Sequence, residues 1–424
     1  MSTHNPSYMK YGNTQQYRML NEWYEEIIRS LGLDSSTISV PPLYSIGVRL
    51  GCDPEFFLKN KKTIVESINI IPPEGLELGV YGGTPPGKII RDGLQVELNP
   101  LPKVCREQIA VEVAISLDAL HHKLIKDNSG VSLSFNGVIS LSEKEMKNLH
   151  DESKKFGCAP SNNIYTKEQS KITVNPENYS YRSAGGHIHL GHCDSELMRD
   201  VFNKNTEIVI ELLDIICGNT CVLVDRDPMQ QERRKVYGKA GEYRLPPHGI
   251  EYRTLSNFWL NNYQLFGLAF GLARQAVEVA ANIHLYEYQL KTKSPYRIIL
   301  ESINRDDIIS AINNNDYKLA KRNFDKIKKY LVEMSASNTD RYPLSKMNIE
   351  AFEYFAEKIN DYGLKYWFKE SPLTYWSRLK NYGVRNEIYE TFGWEAFSVD
   401  NVKERMIHEN LSFGDKLSRL IQPF

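Results

Sequence analysis

The sequence predicts an α+β protein, and three observations predict it. Between Tyr44 and about Leu260 short strand-like runs alternate with Gly/Pro turns, and two long amphipathic helices interrupt that stretch. Beyond about Asn261 apolar residues recur almost only at helical spacing.

Composition bounds the function classes first. The chain has 424 residues, 41% of them apolar, which is ample for a core and excludes a disordered or collagen-like chain. Its 52 Lys+Arg against 53 Asp+Glu leave a net charge of -1, so nothing draws the whole chain to nucleic acid or an anionic membrane. No local basic patch stands out either. No run approaches the roughly 18 consecutive apolar residues of a membrane span. The opening MSTHNPSYMKYGN lacks a charged n-region followed by an apolar h-region, so a soluble, cytoplasmic protein is expected. Cys52, Cys105, Cys158, Cys193, Cys217 and Cys221 are too sparse for a disulfide scaffold and form no CxxC pairs; reduced thiols are expected.

In chain order, residues 1–40 read as a helical arm, with Tyr17, Leu20, Trp23, Ile27 and Leu31 at helical spacing before Gly32. Pro41-Pro42 punctuates the chain, and a catalytic core is expected over 41–265. Within it, one helix is predicted from Lys103 to about Lys126, with Ile109, Val113, Leu117, Leu120 and Leu124 on a single stripe. A second follows Asp194 and ends near Gly218. A mainly helical region, 266–424, is expected to pack on the core.

Four short polar segments carry the chemistry. In Gly51-Cys52-Asp53-Pro54-Glu55-Phe56-Phe57-Leu58, after the strand-like Ile46–Leu50, extended parity turns Asp53 and Glu55 to one face. Two such carboxylates repel unless a cation or an exposed surface relieves them. A solvated strand edge is the bland account, and the flanking Phe56, Phe57 and Leu58 speak against it. In the second segment, the Asp92-Gly93 turn feeds a strand with Leu94, Val96 and Leu98 on one face and Gln95, Glu97 and Asn99 on the other. The upstream Gly82–Lys88 run lacks the ending of a phosphate-binding loop and any following helix.

The third segment, Ala184-Gly185-Gly186-His187-Ile188-His189-Leu190-Gly191-His192, puts His187 and His189 on one strand face, with glycines leaving room for a ligand to approach. Imidazoles so placed ligate a divalent cation or donate to a phosphate oxygen; His192, at odd parity, has the weaker case. In the fourth, Gly241–Leu255, Glu251 and Arg253 share a face, and Arg244 precedes them. An intrastrand ion pair would explain this blandly. Arg226, Arg233, Arg234 and Lys235 add cations to the same stretch, and guanidinium forks suit carboxylates and phosphates. Four strands that send acids, histidines or arginines to one face give a sheet with a dry back and a wet, charged front. Hard carboxylate oxygens would hold Mg2+ or Mn2+ there, and arginines would neutralise a transferred phosphoryl group, which suggests phosphoryl transfer from ATP.

Together the four segments resemble a known superfamily. GCDPEFFL resembles the G-x-E-x-E-F-F-L strand of the glutamine synthetase and glutamate-cysteine ligase superfamily; DGLQVELNP resembles its E-x-x-P strand. AGGHIHLG resembles its G-x-G-x-H-x-H strand and IEYRTLSNFWL its I-E-x-R strand, in the same order. The run YGKAGEYRLPPHGIEYRTLSNFWL is most similar to the phage-type carboxylate-amine ligases, type 2. The motifs span about residues 45–265.

The resemblance implies a glutamine-synthetase-like half-barrel of antiparallel strands, with ATP and two or three divalent cations on its concave face. It implies that Asp53, His187 and Glu251 hold the cation touching the ATP phosphates, and that Glu55 and Glu97 hold the one nearer the acid substrate. His189 would contact a phosphate, and Arg244 and Arg253 would stabilise the transferred group. Asp53 stands where the family has Glu, and Cys105 where glutamine synthetases place a further Glu, for which Glu107 or Asp92 would compensate. The implied activity is ATP-dependent ligation of a carboxylate to an amine, with small-molecule or peptide substrates, in the host cytoplasm if the source is viral. A phosphotransferase of the same fold and an inactive nucleotide-binding relative remain alternatives. A metallohydrolase lacks a third imidazole at a recognisable spacing. Specificity is expected from loops over 74–91 and 162–182, and assembly into homo-oligomers stays open.

Overall fold

A computed structural model describes residues 39–41, 43, 47–77, 87–127, 129–156, 160–170, 174–192, 195–335, 343–344 and 349–382. The arm expected over 1–40, apart from its last two residues, and the helical region beyond 382 lie outside these residues, as do Cys158, Cys193 and residues 78–86 of the 74–91 loop.

Two antiparallel sheets run on from one another as a curled half-barrel. The first joins β1 (Arg49–Cys52), β11 (Ile188–Gly191), β13 (Gly249–Tyr252), β12 (Glu242–Arg244) and β9 (Asn162–Asn163), in that order. The second joins β3 (Thr63–Val65), β2 (Glu55–Asn60), β6 (Gln95–Asn99), β5 (Lys88–Asp92) and β4 (Leu76–Glu77); β7 (Ser132–Ser134) also pairs with β2. A separate two-stranded antiparallel sheet pairs β8 (Val138–Ser140) with β10 (Tyr181–Ser183).

The chain passes from the first sheet to the second through Asp53-Pro54. Proline has no N–H to give to a ladder, so a strand read as continuous breaks here. The joint is pinned by Leu98 N–H donating to the Pro54 carbonyl (3.0 Å) and Glu55 N–H donating to the Gly185 carbonyl (2.9 Å). The expectation that Asp53 and Glu55 share one strand face is therefore corrected: Asp53 lies in the joint just after β1, and Glu55 opens β2 in the second sheet.

Period-2 parity holds elsewhere. Leu94, Val96 and Leu98 are fully buried, and so are Leu50, Ile188, Leu190, Ile250 and Tyr252. All but Leu94, which packs with Phe57 and Ile139 in a smaller cluster, join the predicted stripe of α1 (Arg106–Lys126), from Ile109 to Leu124, in one core. That helix starts three residues later than the sequence predicts, with Cys105 in extended backbone before it. At about 0.8 kcal/mol for each buried CH2, such a back face is what holds the charged front in place.

The second predicted helix is broken. It runs as α2 (Glu196–Lys204) and α3 (Thr206–Leu212) about Asn205, whose φ of -125° is not helical, and continues past Gly218. Leu213–Gly218 is a π-helical turn leading into α4 (Asn219–Val222). Behind it lies α6 (Tyr263–His284), buried along almost its whole length, so the core continues across residue 265. Between them α5 (Gln230–Val236) precedes Tyr237. Among the described residues no helix is long and apolar enough to cross a membrane.

Candidate active site

Cross-strand register builds the first half of the site. Gly51, His189, Glu251 and Arg244 face one another in a single row across β1, β11, β13 and β12. Gly51 leaves the imidazole its space, since a Cβ there would lie 3.2 Å from that of His189. Just before β11, His187 Nδ1 lies 3.2 Å from Asp53 Oδ1 and 3.5 Å from Glu251 Oε1. Ligand atoms of Asp53, His187 and Glu251 all fall within 4.8 Å of one another. The glycines before His187 serve the protein rather than a ligand, which corrects the sequence reading. A Cβ on Gly185 would meet His187 Nε2, and one on Gly186 would meet the Ser256 carbonyl and the Trp259 indole.

The second half lies on the other sheet. Glu55 pairs with Glu97 across β2 and β6, and Asp92 closes the β5–β6 hairpin beside them. Ligand atoms of Glu55, Asp92 and Glu97 again fall within 4.8 Å of one another. Of the two residues named as substitutes for the acid missing at Cys105, the structure brings in Asp92. Glu107 is turned to Arg106 Nε (2.7 Å) and accepts from Cys105 Sγ (2.6 Å).

The front is drier than expected: Asp53, Glu55, His187 and Glu251 are all at least nine-tenths buried, while Asp92 and Glu97 are half-buried. Burial, then the Asp92 and Asp53 charges, pushes the Glu55 carboxyl up to about 8. Burial and neighbouring acids raise Glu97 too. Burial and Asp53 raise Asp92, although Arg253 and Arg244 pull it back. Burial alone would raise Asp53, but His187 and His189 outweigh it and hold it well below the ordinary carboxylate range. Burial lowers His187 and so favours the neutral imidazole that ligates metals.

The arginines close the site on one side. Glu251 Oε1 accepts from Arg244 Nη2 at 2.5 Å and lies 3.2 Å from Arg253 Nε. Arg253, fully buried, also donates to Ser161 Oγ (3.0 Å). The other cations of that stretch are scaffolding, which corrects the expectation that they add to the charged front. Arg233 donates to the carbonyls of Thr254 (2.8 Å), Arg253 (3.3 Å) and Leu255 (2.5 Å), and Arg234 to those of Gly238 and Thr254. Arg226 donates to the Val222 and Asn315 carbonyls, and Lys235 pairs with Glu232 at the surface.

Both nitrogens of His189 face protein groups: Nε2 lies 3.2 Å from Asp53 Oδ2 and Nδ1 3.0 Å from His248 Nε2. His248, Tyr237 and Ser161 are site residues that parity arguments missed. His248 and Tyr237 do lie in the YGKAGEYRLPPHG run, so a signal was present; Ser161 left none.

The donor set fits a divalent cation in each half, being rich in hard carboxylate oxygens with one imidazole, buried, and mutually repelling without a counter-charge. Residues 161–341 match the family described as phage phiEco32-like COOH.NH2 ligase-type 2, and this match supports an enzyme that forms carbon–nitrogen bonds. The matched segment contains His187, His189, Arg244, Glu251 and Arg253; Asp53, Glu55, Asp92 and Glu97 precede it. No curated protein matches the chain.

Proposed function

We propose that the protein joins a carboxylate to an amine at the expense of ATP, through an acyl phosphate, with Mg2+ or Mn2+ in the site. The observation that carries this reading is the pair of acidic clusters set side by side by Asp53-Pro54-Glu55, with two guanidiniums on Glu251. Asp53, His187 and Glu251 would hold one cation and Glu55, Asp92 and Glu97 the other. The cations would neutralise phosphate oxygens and polarise the transferred group.

In the first step a substrate carboxylate oxygen attacks the γ-phosphorus of ATP, the bond to the bridging oxygen breaks, and ADP leaves. In the second the amine lone pair attacks the acyl carbon, the C–O bond to phosphate breaks, and inorganic phosphate leaves with the amine giving up a proton. Arg253, held by Ser161 and Glu251, presents a rigid planar fork, and Arg244, a third exposed, sits where it can follow the transferred group. Burial excludes water that would hydrolyse the mixed anhydride. The substrates are small-molecule or peptide carboxylates and amines.

Hydroxylamine tests this directly. With the correct acid, ATP and Mg2+, a hydroxamate should form in equal amount to ADP. A stable phosphorylated product instead would make the enzyme a phosphotransferase. ATP binding with no ADP release across broad panels of acids and amines would leave a nucleotide-binding relative.

A further inference from the structure

One side chain touches both halves of the site. Tyr237 follows α5 and is 8% exposed. Its hydroxyl donates to Glu55 Oε2 (3.0 Å), the same oxygen that accepts from Gly185 N–H (2.8 Å). Its ring stands edge-on to His187, with centroids 5.9 Å apart. The Arg253 guanidinium lies 5.8 Å from the ring centroid and that of Arg233 4.9 Å. So a single phenol contacts one acid of the second cluster, the imidazole of the first, and the buried arginine of the proposed transfer step.

The ring is itself braced. Arg233 holds the carbonyls of residues 253–255 and so ties α5 to Arg253 and the chain just beyond the strand that carries Glu251. Gly238 turns the chain away directly after the tyrosine, at φ +81°, where a Cβ would strike the Arg233 guanidinium. Only glycine reconciles that turn with that packing. The brace leaves the phenol little freedom, and its hydroxyl in turn fixes the orientation of Glu55. A carboxylate oriented in this way binds a cation without first surrendering rotamer freedom.

We propose that Tyr237 is a positioning residue that orients Glu55 for its cation while packing His187 and Arg253 into place. The proposal rests on the two-cation reading of the acidic clusters. Removing such an outer partner costs about 10- to 100-fold in metal affinity or activity.

The test is calorimetric titration with Mn2+ alone, in the absence of turnover, on the wild type, Tyr237→Phe, Glu55→Gln and the double variant. Phe keeps the ring contacts and removes only the hydroxyl. The expected result is two Mn2+ sites in the wild type, one of them weakened about 10- to 100-fold in Tyr237→Phe, and no further loss on adding that change to Glu55→Gln. Wild-type binding of both ions by Tyr237→Phe overturns the positioning role and leaves the two-cation reading standing. A wild type that binds no Mn2+ overturns the reading itself, and the proposal with it. A Tyr237→Phe protein that melts far below the wild type in EDTA overturns the proposal by showing that the hydroxyl holds the fold.

Discussion

Glu55→Gln should make the cation-free protein more stable while removing the response to cations that comes from the Glu55, Asp92 and Glu97 cluster. Burial and the neighbouring acids push the Glu55 carboxyl from its ordinary 4.5 up to about 8. A raised acid contributes stability through its neutral form, which is fully present below the unfolded value and lost as pH rises through the folded one. At pH 7 the unfolded chain has given up this proton and the folded one has kept it, so holding Glu55 inside costs about 3 kcal/mol. Above pH 8 the cost levels near about 5 kcal/mol. Glutamine has no charge to bury, and its carbonyl still accepts from Gly185 N–H and Tyr237 Oη–H. With an unfolding entropy of about 2.1 cal/mol/K per residue, 3 kcal/mol is a rise of roughly 3 to 4 °C in Tm for a chain of this length. Thermal melts in EDTA from pH 4 to pH 8.5 read the difference between the two proteins. It should be near zero at pH 4 and grow with pH, then close or reverse when Mg2+ is added, because only the wild type has the ionised ligand. A variant no more stable than the wild type at pH 7 in EDTA, or one stabilised equally by Mg2+, would refute the reasoning.

Two further outcomes follow from the geometry. Arg253→Lys keeps the charge and loses the planar fork that spans Glu251 and Ser161, so kcat should fall roughly 10²- to 10³-fold while ATP affinity changes far less; steady-state kinetics beside calorimetry would show a loss confined to KM if the residue only binds. Asp92→Asn removes one of three clustered carboxylates, and Mn2+ titration should then show one site weakened by at least about 10-fold. Two sites of wild-type strength would return Asp92 to a mere hairpin residue.

Much of the site was legible because strand parity is a local rule. His189 and Glu251 face the site at the positions alternation assigns them, and Leu94, Val96 and Leu98 are buried as it predicts, although the register that sets Gly51, His189, Glu251 and Arg244 in one row was not part of what the sequence predicts. The stripe of α1 was legible for the same reason at period 3.6. What failed was any inference that carried a local rule past an interruption. Parity turned Asp53 and Glu55 together only on the assumption of one strand, and Pro54 ends that strand. The helix after Asp194 was drawn as continuous, although Asn205 leaves helical geometry and donates to His284 (2.8 Å). Charge counts failed at Arg233 and Arg234 because a guanidinium's destination is set by the carbonyls it meets, which lie about twenty residues along the chain. Asp92 and Tyr237 join the site through the second sheet and α5, contacts that no window of sequence contains.

The joint that defeated parity also determines the electrostatics of the site. Two residues of extended chain span at most about 7 Å, so Asp53 and Glu55 force the two clusters to be neighbours whatever else the fold does. The clusters bring together five carboxylates, Asp53, Glu251, Glu55, Asp92 and Glu97, against two guanidiniums, Arg244 and Arg253. With all of them ionised, five negative charges less two positive ones leave -3, in a region mostly shut off from water. Such a site repels a triphosphate, and the raised Glu55, Asp92 and Glu97 carboxyls express the same strain as a tendency to keep protons. Two divalent cations, if held as proposed, would turn -3 into +1, release those protons, and make the same site attractive to a polyanion. Under the proposed reading the order of events is thereby set by charge: the nucleotide enters with its cations or after them, and the arginines act on a phosphoryl group that the acids alone would have excluded.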